Sequence, residues 1–125
     1  NNDLIVKGKW TPACGAAGVD TLLSRKVNFT ALVASNDDMA IGAMKQLHEH
    51  GVSVPAQVSV IGFDDIALAA YTIPALSSVK IPVTEMIQET IGRLIFMLGD
   101  GAFTPPKTFT GELIQRDSVA PPASR

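Results

Sequence analysis

Apolar residues run along this chain in two rhythms. Short strand-like stretches occupy residues 4–6, 29–34, 58–63 and 76–81, each followed by polar or turn-forming residues, and 29–34 is almost continuously apolar. Runs without alternation fit strands covered on both faces of a parallel sheet. Between them the spacing changes to three and four. Val19, Leu22 and Leu23 form one face of a helix over Pro12–Ser24, where Pro12 sits in the first turn and its missing N–H costs nothing. Met39, Ala40, Ala43, Met44 and Leu47 mark a second helix over residues 38–50, stopped by Gly51. Ile87, Ile91, Leu94, Ile95 and Leu98 draw a stripe on a third helix over residues 84–98, which Gly99-Asp100-Gly101 ends. A proline-containing loop leads to a last strand near residues 108–116, and residues 120–125 read as a loose tail. Alternating strands and helices predict an α/β fold, a mostly parallel sheet with helices on both faces.

Composition narrows this picture. With 125 residues, 46% of them hydrophobic, the chain is long enough for one ordinary core. A net charge of −2 argues against a surface that grips DNA phosphates by itself. The single cysteine, Cys14, allows no internal disulfide and no cysteine zinc cage, which agrees with a reducing cytoplasm; among Ala and Gly it reads as a packing residue. No apolar run reaches the roughly 18 residues a membrane span needs. Asn1-Asn2-Asp3 is neither an initiator methionine nor a basic signal region, so the chain reads as a piece of a longer protein.

In an open α/β sheet, ligands bind beyond the carboxyl ends of the strands. Three polar clusters fall there: Lys9-Trp10, Ser35-Asn36-Asp37 and Asp64-Asp65. Acids and amides pair with neighbouring hydroxyls, and an aromatic face packs on the C–H side of a sugar ring, so the set fits polyol recognition. Asp37 or Asp38 also fits a helix cap, and Asp65 a turn cap, while Asn36 and Asp64 are freer to enter a crevice. Trp10 fits either a ligand platform or surface packing. The candidate binding residues are Trp10, Asn36 and Asp64.

Other chemistry finds less support. There is no phosphate loop, and Gly15-Ala16-Ala17-Gly18 falls inside a helix. His48 and His50, two apart on a helix, do not share a face. Asp37, Asp38, Asp64 and Asp65 could gather Mg²⁺, but no nucleophile or oriented base accompanies them, so a hydrolase ranks below sugar binding. No catalytic, metal-binding or cofactor-binding residue is expected, and the chain is not read as an enzyme.

The block from Phe29-Thr30-Ala31-Leu32-Val33-Ala34-Ser35-Asn36-Asp37-Asp38-Met39-Ala40, through Val52-Ser53-Val54-Pro55 and Val58-Ser59-Val60-Ile61-Gly62-Phe63-Asp64-Asp65, to Tyr71-Thr72-Ile73-Pro74-Ala75-Leu76-Ser77-Ser78-Val79 resembles the lac/gal repressor family in order and spacing. Leu113-Ile114-Gln115-Arg116-Asp117-Ser118 resembles the family's last strand. The wording of residues 8–13 and 80–88 is similar to members answering β-glucosides.

The resemblance implies one incomplete lobe of a two-lobed, periplasmic-binding-protein-like sensor. Residues 1–81 and 106–119 would form the carboxyl-terminal lobe, and residues 82–105 an excursion into the other lobe. Asn36 and Asp64 match the family's effector-contacting amide and acid, and Trp10 its stacking aromatic. Ile81 and Val83 stand where some relatives carry polar and aromatic contacts. Implied partners are a small sugar effector, a second subunit and, through an amino-terminal helix-turn-helix outside this stretch, operator DNA. Pairing would use the first two helices and residues 66–71. A transport-linked sugar-binding protein of the same architecture is the alternative. Without its other lobe, the 84–98 helix should expose its stripe and favour association.

Overall fold

A computed structural model describes residues 2–99, 101–102 and 105–122. Asn1, the Asp100 of the predicted helix stop and the last three residues of the predicted tail lie outside them. In chain order the regular elements are a 3-10 turn Asn2–Leu4, α1 (Pro12–Ser24), β1 (Ala31–Val33), α2 (Asp37–Glu49), β2 (Ser59–Phe63), a 3-10 turn Ala67–Tyr71, β3 (Ser77–Lys80), α3 (Val83–Leu98) and β4 (Glu112–Ile114). The strands lie side by side as β1-β2-β3-β4. β1, β2 and β3 are parallel, with Val33 beside Ile61 and Phe63 beside Val79; β4 returns antiparallel, with Lys80 across from Glu112.

The core is where the two rhythms meet. Val19 of α1, Leu47 of α2, Val60 of β2 and Leu76 before β3 are completely buried, and each such side chain contributes about 1.5–3 kcal/mol relative to exposure. The helices cross at glycines. A methyl on Gly15 would run into the backbone of Met39, and one on Gly42 into that of Pro12. Only a missing Cβ lets the two backbones come so near. Thr11 caps α1 by accepting from the Cys14 N–H.

Two predicted strands come out differently. Residues 4–6 form no strand: Leu4 ends the 3-10 turn, and the Arg25 guanidinium donates to the carbonyls of Asp3 and Ile5. Among the described residues no strand pairs with the outer side of β1, and the stretch expected to be buried on both faces leaves Val33 81% exposed. The tail is also firmer than predicted at its start. Ser59 donates its hydroxyl to the Ala120 carbonyl at 3.0 Å and accepts the Ala120 N–H at 3.1 Å. α3 buries no residue; Ile87, Ile91, Leu94, Ile95 and Leu98 are all exposed.

Candidate functional site

The paired register places two predicted residues on one rim. Val33 and Ile61 are partners, and Asn36 and Asp64 each lie three residues beyond them, past the carboxyl ends of adjacent parallel strands. Asn36, rather than Asp37 or Asp38, caps α2: its Oδ1 accepts the Met39 N–H at 2.9 Å. An amide oxygen there answers a helix-end donor that lacks an internal partner. Asn36 is thus buried and structurally employed, and its Nδ2 group keeps its donors free of any partner among the described residues.

Asp37 does a different job from the capping expected of it. Fully buried, it accepts the Ser78 hydroxyl on Oδ1 at 2.6 Å and the Ile66 N–H on Oδ2 at 2.8 Å. Asp65 likewise serves no turn cap. Its carboxylate pairs with Arg116 at 2.7 Å, and its own N–H donates to Ser78 Oγ at 3.1 Å. Arg116 also donates to the Leu76 carbonyl at 2.8 Å. Two of the four acids considered for Mg²⁺ are therefore committed inside the fold. Among the described residues no group of three or more His, Cys, Asp or Glu side chains is arranged to hold a metal.

Asp64 sits in a turn held at every rung. Its N–H donates to the Val79 carbonyl, that of Asp65 to Ser78, and that of Ile66 to Asp37. The turn takes φ 105° at Asp64 and 53° at Asp65, values that side-chain-bearing residues seldom adopt. Strain of this sort costs on the order of 1–3 kcal/mol per residue and persists only where surroundings impose it. The result is an exposed Asp64 carboxylate with no hydrogen-bond partner among the described residues. Burial of its surroundings, and then the charges of Asp37 and Asp38, hold its pKa above the usual carboxylate value.

Trp10 is 70% exposed. The strand register thus places Asn36 and Asp64 on one rim, and among the described residues no hydrogen bond or ring contact joins Trp10 to either. A cleft of about 320 Å³ lies between residues 4–8, α1 and β1, lined by Leu4, Val6, Leu22 and Phe29 and also by Lys7 and Ser35.

The sequence reading missed the brace behind the rim, made of Asp37, Ser78, Arg116 and Gly62. One signal was available. A glycine inside an apolar strand marks close backbone approach, and a methyl on Gly62 would collide with the Asp37 carboxylate.

Comparison with known proteins follows the same outline. Residues 4–119 match the periplasmic binding protein-like domain family. The chain is 74% identical over 123 residues to the HTH-type transcriptional regulator AscG of Escherichia coli K12, covering 98% of this chain and 37% of that protein. It superposes on the crystal structure of the Escherichia coli transcriptional repressor ascG with a TM-score of 0.85 at 75% identity, covering 96% of this chain and 44% of that one. On the lac repressor dimer bound to operator and the anti-inducer ONPF the TM-score is 0.84 at 28% identity, covering 90% of this chain and 39% of that one. The chain spans little more than a third of AscG, the curated relative named here.

Proposed function

The chain belongs to the periplasmic binding protein-like domain family in its LacI-type form, and from that premise we propose that it is the effector-sensing and dimerisation part of a sugar-responsive transcriptional repressor. A small sugar, β-glucoside-like, binds between two lobes and favours one arrangement of them, which alters operator binding elsewhere in the protein. Asn36 donates to the sugar through Nδ2, Asp64 accepts from neighbouring hydroxyls, and Trp10 stacks on the ring. The observation that carries this reading is the exposed Asp64 carboxylate, borne on a turn whose three consecutive N–H groups are hydrogen-bonded, yet itself without a hydrogen-bond partner among the described residues.

In this reading residues 82–105 belong to the second lobe, which is why α3 buries nothing here. Subunits pair through α1, α2 and residues 66–71; the exposed Leu68 and Tyr71, and Ile73 just beyond, support that surface. The AscG likeness favours a regulator over a transport-linked binding protein or an enzyme, and we place its action in the cytoplasm, where operator DNA lies. The test is titration of the protein carrying this chain with aryl β-glucosides, followed through Trp10 fluorescence. A saturable response that Asp64→Ala abolishes is expected. Unchanged affinity in that variant would discard the site.

A further inference from the structure

α3 is shielded on the opposite face from the one an amphipathic helix normally covers. Its apolar residues Ile87, Ile91, Leu94, Ile95 and Leu98 are all exposed, and the only two α3 residues that are half-buried are the charged Glu89 and Arg93. The groups set against them come from the returning leg of the chain. Arg93 donates through Nε to Glu89 Oε1 at 2.7 Å and through Nη1 to the Pro105 carbonyl. The other carboxylate oxygen, Glu89 Oε2, lies 3.7 Å from Lys107 Nζ, which itself stands 5.1 Å from the centre of the Phe109 ring. One carboxylate thus lies between a cation of its own helix and a cation of the leg. The Arg93 hydrogen bond first, with the Lys107 charge, holds the Glu89 carboxyl below its usual pKa.

We propose that Glu89, gripped by Arg93 and Lys107, is an ionic clasp that fastens residues 105–109 to α3 and holds the helix with its apolar stripe turned outward. Isolated surface ion pairs contribute little. Here one carboxylate serves two cations, so removing its charge also leaves Arg93 and Lys107 as neighbouring like charges. The helix has no buried apolar side chain to hold it in their place. The clasp needs no ligand and does not depend on the sugar-binding reading.

The experiment follows hydrogen exchange of the α3 amides and chymotryptic cleavage after Phe109 in the protein carrying this chain. It compares the native sequence with Lys107→Gln, Glu89→Gln and the double variant. Lys107→Gln is the decisive one, because it leaves the Glu89–Arg93 pair within the helix intact. Both rates should rise at least about threefold in either single variant, while amides of β2 and β3 stay unmoved. High salt should raise the native rates in the same sense. The double variant should lose less than the two single losses combined, since the two side chains act on each other, and full additivity would overturn the clasp. Unchanged rates in Lys107→Gln would overturn it too and place the contact among surface pairs that contribute nothing. An equal rise in β2 and β3 would do the same, because the loss would then belong to the whole fold.

Discussion

The buried Asp37 carboxylate rests directly on Gly62, with no room between them for a methyl group. That contact joins the start of α2 to the middle of β2, and through Ser78 and Ile66 it also fixes β3 and the turn bearing Asp64. Gly62→Ala should push the carboxylate off both donors and cost about 1–3 kcal/mol, as overpacking commonly does. Thermal unfolding would read the loss, and sugar affinity should fall with it. A variant with unchanged melting and binding would show the contact to be idle.

Replacing Asp37 itself separates charge from shape. An amide in Asp37→Asn can keep the Ile66 N–H on its oxygen and turn its NH₂ toward Ser78 Oγ, which can accept it, but the Ser78 hydroxyl proton then loses its buried acceptor. A cost of roughly 1–3 kcal/mol is expected for the unmet buried group, measured by denaturant unfolding.

Glycines in two helices should respond in opposite directions. Gly42→Ala drives a methyl into the Pro12 backbone at the α1–α2 crossing and should destabilise the fold strongly. Gly92, inside α3, has open space around it, so Gly92→Ala should stabilise by up to about 1 kcal/mol through helix propensity. Comparing the two melting curves checks both statements.

At Asp64 stability and binding should part company. Its pKa is held above the ordinary value by burial of its surroundings and by Asp37 and Asp38. The folded state therefore takes up a proton more readily than the unfolded one, and this residue's contribution is most favourable at acid pH and is lost as pH rises through the raised pKa. Asp64→Asn should raise the melting temperature at neutral pH while weakening sugar binding. A melting temperature that falls instead would contradict the sign.

Asp20 runs the other way. Its hydrogen bonds from His50 and Gln46, across the α1–α2 pair, hold its pKa below the usual carboxylate value. That contribution is present above the unfolded-state pKa and fades as pH falls through the lowered one. The stability difference between the native chain and Asp20→Asn should be steady at neutral pH and shrink in acid. Both partners are substantially exposed, so the difference should be small.

The apolar stripe of α3 should make the isolated chain associate. Ile91, Leu94 and Ile95 are each more than half exposed, a patch that ordinarily marks an interface. Light scattering should find a dimer or larger assembly, and Ile91→Lys with Leu94→Lys should reduce both assembly and dye binding.

The positions of α1, α2, β2, β3 and α3 were legible to within a residue or two, because hydrophobic spacing, Thr11-Pro12 and Gly51 are local signals. So was the α/β order, whereas the exposure of the α3 stripe followed from the family resemblance and not from periodicity, which gives only an amphipathic helix. The division of labour among Asn36, Asp37, Asp64 and Asp65 was not legible. Four neighbouring polar residues look alike along the chain. Which one caps, which is buried against glycine, which meets Arg116 and which stays free depends on contacts between residues up to 51 positions apart. The same holds for residues 4–6, where Arg25, some twenty positions away, donates to the Ile5 carbonyl. The sequence by itself determined the elements and the strand ends where a site could lie. Only the tertiary structure decided which carboxylate is left over for a ligand, since a hydrogen bond is satisfied in space and not along the chain.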